Sequence, residues 1–419
     1  MNLDTREPAR AISCVFAETG DAPFQVAPVK ERFSALDACR GFCAVAVVFY
    51  HMDAQTHFHG WPVVRNGFHA VDFFFVLSGF VIASAYGQKL QTGEQLRRFT
   101  IRRFGRLYPL HAAVLAAYVL VELWALAHQQ DAFVDDFSIP GLLASIPLLQ
   151  GFSPLALTWN YPAWSISVEL WFNLAFGLYV CWLGRRSVWI SAAILLITGG
   201  YIMITGQIHH PFFQADTAGA YRFVAQSVFG FVAGTFIHGA YLRIKQTQWR
   251  PGLAWECLAV GVVVLEFGFG ERFPAPYASP LFCVVVLIFA FEAGPISALL
   301  RHRAFTRLGT ISYSVYLTHS LYLLGMEAVV QAIADHLGQP GSISVGGSDL
   351  LNLGGPWAMD AAGLACVAVT IAGSTLTYRF IEEPARLFFN ARSDGRPAEP
   401  PLASPRPPTA SPQKGPLPC

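Results

Sequence analysis

Arg40 and His51 close the stretch "RGFCAVAVVFYH", a run that is apolar except for a guanidinium at one end and an imidazole at the other. On an α-helix the eleven positions from one to the other rise about 16 Å, and eleven steps of 100° return the second side chain to within about 20° of the first. Both therefore share one face, with Asp37 near it. Histidine titrates near neutral pH, so a His on a polar helix face can take a proton from a hydroxyl or relay one. Snorkelling of Arg40 to headgroups and a structural hydrogen bond from His51 are the bland alternative. The shared face favours chemistry.

Other polar residues interrupt apolar runs in the same way. "HAVDFFFVLSGFVIASAY" opens with His69 and Asp72, and Asp72 reads either as a helix cap or as a buried functional carboxylate. "WNYPAWSISVELWFN" places Glu169 in the outer part of the next run but one, and an intramembrane glutamate is rarely idle. In "ISYSVYLTHSLYLL", Ser312, Tyr316 and His319 recur at spacings of four and three and line one face, suited equally to a helix contact and to a substrate groove. "LRRFTIRRFGRLYP" gathers Arg97, Arg98, Arg102, Arg103 and Arg106, a set able to hold a phosphate-bearing ligand or anionic lipid.

These residues must be positioned by helices in a bilayer. The 419-residue chain is 54% hydrophobic and 13% charged, about half the charged fraction of a soluble domain. Its 28 basic and 27 acidic residues nearly balance, which gives no sign of a nucleic-acid partner. Ten stretches are apolar over about 20 residues, near 36–55, 69–87, 107–127, 165–183, 188–206, 222–241, 252–269, 279–298, 309–333 and 357–378. Residues 139–152, short and holding two prolines, read as interfacial or re-entrant. Alternate loops carry the arginine clusters, while the others hold little beyond Arg65, Arg222 and Arg272. Basic residues mark the cytoplasmic side, so an all-α bundle of about ten spans with both termini in the cytoplasm is expected.

Residues 1–30 have no apolar core and are expected to be a disordered cytoplasmic segment rather than a signal peptide; 31–390 form the membrane domain. Residues 391–419 are expected to be a disordered cytoplasmic tail, with nine prolines between 394 and 419. Eight cysteines show no metal-ligand spacing and read as structural filler, and no metal is expected. The oligomeric state is left open.

The motifs "FSALDACRGFCAVAVVFYH", "GFHAVDFFFVLSGFVIA", "FTIRRFGRLYPLH", "PAWSISVELWF", "ISYSVYLTH" and "YRFIEEPARLF" resemble, in order, those of acyltransferase family 3, over roughly residues 31–390. Members of that family O-acylate sugars and other acceptors across the bacterial inner membrane. Cys39 stands where the family usually has a bulky aliphatic residue, off the polar face. The resemblance implies that His51 is the catalytic group with Arg40 in support, and that Arg102, Arg103 and Arg106 engage acyl-CoA, acetyl-CoA by default. It places Glu169 on the acceptor side, and Asp72 or Glu169 would orient the imidazole or bind sugar hydroxyls. The acceptor it implies is a glycan or lipid-linked sugar on the outer side. Outer-loop aromatics such as Phe58, Trp61, Trp159, Tyr161, Phe212, Phe213 and Tyr277 suit sugar stacking or a membrane-interface belt. A proton-coupled transporter and a non-catalytic membrane scaffold are the readings from other classes.

Overall fold

The computed structural model describes residues 32–395 except 88, 206–216 and 271–277, with backbone alone for 217–220. The expected N-terminal segment, most of the expected tail, Arg272, Phe212, Phe213 and Tyr277 lie outside the described residues. Among the described residues fourteen α-helices follow one another: α1 Ser34–Tyr50, α2 Pro62–Arg65, α3 Ala70–Tyr86, α4 Gly93–Ala127, α5 Ile139–Ser145, α6 Ala163–Leu183 and α7 Ser187–Thr205. Then come α8 Thr217–Gln246, α9 Leu253–Phe269, α10 Ala278–Ala290, α11 Pro295–Leu300, α12 Arg303–Leu337, α13 Pro356–Thr377 and α14 Glu383–Ser393.

Nine of the ten apolar stretches overlap a single α-helix, and the eighth, 279–298, is divided between α10 and α11. Among the described residues six helical runs are long and apolar enough to cross a membrane: Gly67–Tyr86, Gly93–Ala127, Ala163–Thr205, Tyr221–Gln246, Arg303–Leu337 and Pro356–Ser393. Helices α1 and α9 stop at 17 residues and α10 at 13, where Glu292 with φ of 49° turns the chain into α11. Short α5 occupies the segment read as interfacial.

Local chemistry sets several ends. Thr92 and Gln95 form a reciprocal capping box that starts α4. Buried Glu256 on α9 accepts the backbone N–H groups of Gly294, Ile296 and Ser297 and the Ser297 hydroxyl, satisfying donors that α11 leaves exposed at its start. One element was not expected in an all-α chain. Ser342–Val345 (β1) and Ser348–Leu351 (β2) form a hairpin whose two-residue turn, Gly346–Gly347, has both φ angles positive, as tight hairpin turns require. Its second strand, β2, bonds on to the loop after α1 through Leu351 N–H to Asp53 O (2.9 Å) and Gln55 N–H to Leu351 O (2.9 Å). The chain leaving His51 is thereby tied down.

Apolar burial barely drives one lipid-embedded helix onto another, because lipid tails are as apolar as Leu; close backbone approach and interhelical hydrogen bonds do the work instead. The α1–α12 contact follows that rule. A methyl group built on Gly41 would lie 2.7 Å from Gly309 N and 2.8 Å from Leu308 C, and one on Gly309 would strike the Asp37 carbonyl. Only hydrogen at both positions lets the helices touch.

Candidate active site

The glycine contact sets the register of the site. Gly41 to His51 on α1 is ten positions, and Gly309 to His319 on α12 is also ten. Two helices locked side by side at the glycines therefore bring the histidines level. His319 Nε2 lies 3.0 Å from His51 Nδ1, and the rings stack with centroids 5.0 Å apart and planes 24° apart. His51 Nδ1 also lies 3.0 Å from the Val47 carbonyl oxygen, and His319 Nδ1 lies 2.6 Å from that of Tyr316. Tyr161 contributes a third ring, 4.9 Å from His51.

Nearer the glycines, Arg40 Nε donates to Ser312 Oγ (2.8 Å) and its Nη2 to the Gly309 carbonyl (3.0 Å), with Asp37 3.7 Å away. Arg40, Arg103, Arg106, Glu169 and Ser78 wall an inner cavity of about 80 Å³. Three guanidiniums against one carboxylate make it attractive to an anion. Arg103 is buried and lies over the rings of Tyr86 and Phe99, at 5.7 and 5.8 Å.

A middle cavity of about 50 Å³ shares Val71, Phe75 and Tyr316 with the inner one and reaches His51 and Asp72. An outer cavity of about 410 Å³ begins at His51 and widens past Tyr161, Trp159 and Tyr118 toward Asp53 and the hairpin. His51 is the residue common to the middle and outer spaces.

The sequence-derived site residues divide into three groups. Arg40, Arg103, Arg106 and Glu169 come together, and His51 and Asp72 come together, one cavity along. Glu169 was expected on the acceptor side beside the imidazole. The structure sets it on the arginine side, accepting from Ser78 Oγ at 2.9 Å, because α6 enters the bundle level with the middle of α3. Arg102 stands apart: it bonds Ser393 (2.8 Å) and Asp394 at the end of α14. Arg102 and Arg103, adjacent on α4, diverge by about 100°, so Arg103 lines the cavity while Arg102 meets the end of α14. Asp72 lies in the first turn of α3 but caps nothing; it accepts from Gln226 at 2.8 and 3.0 Å and from Ser279 at 3.4 Å. His69, fully buried, sits 3.6 Å from Asp72 and 3.3 Å from Glu266.

Sequence reasoning placed His319 and Ser312 on a polar face without pairing them to α1. The signal that would have paired them is the repeated ten-position spacing from glycine to histidine in the two motifs. Among the described residues no group of three or more His, Cys, Asp or Glu is arranged to hold a metal ion.

A helical bundle with six runs long and apolar enough to cross a membrane, whose polar residues converge on a chain of internal cavities, is a multi-pass membrane protein. The chain matches the Acyltransferase domain family over residues 33–379 and belongs to it; the protein is an enzyme that transfers acyl groups. It is 27% identical to the acyltransferase MdmB of Streptomyces mycarofaciens over 395 residues, covering 86% of this chain and 93% of that protein. It is 22% identical over 393 residues to the peptidoglycan O-acetyltransferase OatA of Listeria monocytogenes, covering 84% of this chain and 55% of that longer protein. Protein 2 of the picA locus of Rhizobium radiobacter is 36% identical over 191 residues, 42% of this chain and 94% of that protein. No solved structure matches the chain.

Proposed function

We propose that the protein is an O-acyltransferase of the bacterial inner membrane, with ten spans and both termini cytoplasmic, that carries an acyl group from cytoplasmic acyl-CoA to a hydroxyl of a glycan or lipid-linked sugar outside. One observation carries the reading: His51 stands between a space that leads back to three arginines and a space that opens past aromatic rings. The first suits the phosphates of a CoA thioester, the second a sugar. Acetyl is the acyl group favoured, since several relatives bear the name O-acetyltransferase.

In the mechanism that follows, Arg40, Arg103 and Arg106 hold the anionic donor while its acyl end advances along the face of α1. His51 takes the proton of the acceptor hydroxyl, whose oxygen attacks the thioester carbonyl. The carbon–sulfur bond breaks, and the departing thiolate recovers the proton, leaving ester and free CoA. An acyl-histidine intermediate is the rival route and would form the same products in two steps. The inner and middle cavities meet at Val71, Phe75 and Tyr316, which line both, so the acyl end of the donor passes these side chains on its way to His51.

The test is transfer of label from radioactive acetyl-CoA to the glycan fraction of membrane vesicles carrying the protein. His51→Ala, inserted at normal level, should lose transfer by at least about 100-fold. Wild-type transfer by that variant refutes the reading, as does labelled-solute flux without any acyl transfer.

A further inference from the structure

Two carbonyl oxygens fix the protons of the histidine pair. His319 Nδ1 lies 2.6 Å from the Tyr316 oxygen, which can only accept, so Nδ1 carries hydrogen. In the neutral ring Nε2 then holds the lone pair, and it faces His51 Nδ1 at 3.0 Å. His51 Nδ1 in turn lies 3.0 Å from the Val47 oxygen, again acceptor only, so it carries hydrogen and shares it between Val47 and His319. The Val47 oxygen already accepts the backbone N–H of His51 at 3.1 Å, which leaves His319 the less committed acceptor.

The reverse assignment fails on charge. A donating Nε2–H would make His319 an imidazolium at 0% exposure, facing backbone carbonyls and another imidazole rather than a carboxylate. It would also aim the His51 lone pair at the Val47 oxygen. Burying a charge without a counter-charge is heavily penalised.

We infer that His319 is a positioning residue for acyl transfer: with the Val47 carbonyl it accepts the Nδ1–H of His51, and so helps keep the basic lone pair of that ring on Nε2. The inference rests on the reading of His51 as general base. When His51 takes a proton at Nε2, the Nδ1–H···Nε2 bond to His319 becomes charge-assisted and stabilises the imidazolium in place. The stacked rings, 24° from parallel, oppose rotation of His51 about its side chain. His319 is itself anchored within its own helical turn by Tyr316, so the device needs no carboxylate.

The test compares His319→Phe, which removes the acceptor, with His319→Gln, whose amide oxygen can accept the same hydrogen. In the vesicle assay Phe should lower kcat about 100-fold and Gln should stay within about tenfold of wild type, with KM for acetyl-CoA unchanged within about twofold in both. If the Phe ring is not accommodated, His319→Ala makes the same comparison. Nitrogen-15 histidine spectra of the solubilised protein, with His51 assigned by its loss in His51→Gln, should show the Nδ1–H tautomer in wild type and a mixture in His319→Phe. Wild-type kcat in Phe or Ala, or an unchanged His51 tautomer there, overturns the inference. An inactive His51→Ala beside an active His319→Phe sinks the positioning role alone; an active His51→Ala sinks the general-base reading beneath it.

Discussion

Replacing Gly41 by Ala perturbs the site without touching any group that does chemistry. The added methyl would meet Gly309 N at 2.7 Å, where ordinary contact begins at 3.4 Å, so α1 and α12 must part by about 0.7 Å at that level. If the helices separate as rigid rods, the His51–His319 distance grows from 3.0 Å to about 3.7 Å, beyond hydrogen-bond range. Overpacking of this kind costs about 1–3 kcal/mol of stability. Misplacing a catalytic group by the better part of an ångström costs up to about 100-fold in rate. Gly41→Ala should therefore reach the membrane, melt at lower temperature and lose about 10- to 100-fold in kcat. Gly325→Ala, on the same α12 but with nothing within 4 Å, should do neither. Initial rates with labelled acetyl-CoA and melting curves in detergent decide the matter. A Gly41→Ala protein with wild-type kcat would show that the glycine contact does not set the histidine pair.

Three further outcomes are expected. Arg103→Ala and Arg106→Ala should each raise KM for acetyl-CoA about tenfold, the weight of one charge-assisted hydrogen bond, whereas Arg102→Ala, whose guanidinium is spent on Ser393 and Asp394, should leave it unchanged; initial-rate series in donor concentration separate the cases. Ser312→Ala removes the acceptor of Arg40 Nε while sparing the bond to Gly309, and kcat/KM for donor should fall about tenfold in the same assay. Glu256→Ala strips the start of α11 of its acceptor and should cost about 3 kcal/mol, read as a melting temperature several degrees lower, while Glu256→Gln, which keeps one acceptor oxygen, should cost less.

The sequence by itself determined what depends on one segment at a time. Length and hydropathy pointed to an all-α membrane bundle, and among the described residues six helical runs are long and apolar enough to cross, since a span is a local matter of about 20 apolar residues. Helical periodicity put Arg40 and His51 on one face, and the structure sets both along one system of cavities. The Gly346–Gly347 turn is equally local, but its two strands are four residues each and mostly exposed, too short and polar to stand out in an otherwise helical chain. What the tertiary structure decided is how segments meet. His51 and His319 are 268 positions apart, and their contact depends on two glycines letting α1 and α12 touch in matched register. Glu169 sits with the arginines rather than the imidazole because of the depth at which α6 passes α3, a quantity no periodicity contains. Of the two readings open for Asp72, the structure makes it a cavity wall rather than a cap, with Gln226 of α8 and Ser279 of α10 as its donors. The spacing along each helix is written in its own residues, whereas the offset between helices is settled by backbone contact and interhelical hydrogen bonds, which exist only once both partners are in place.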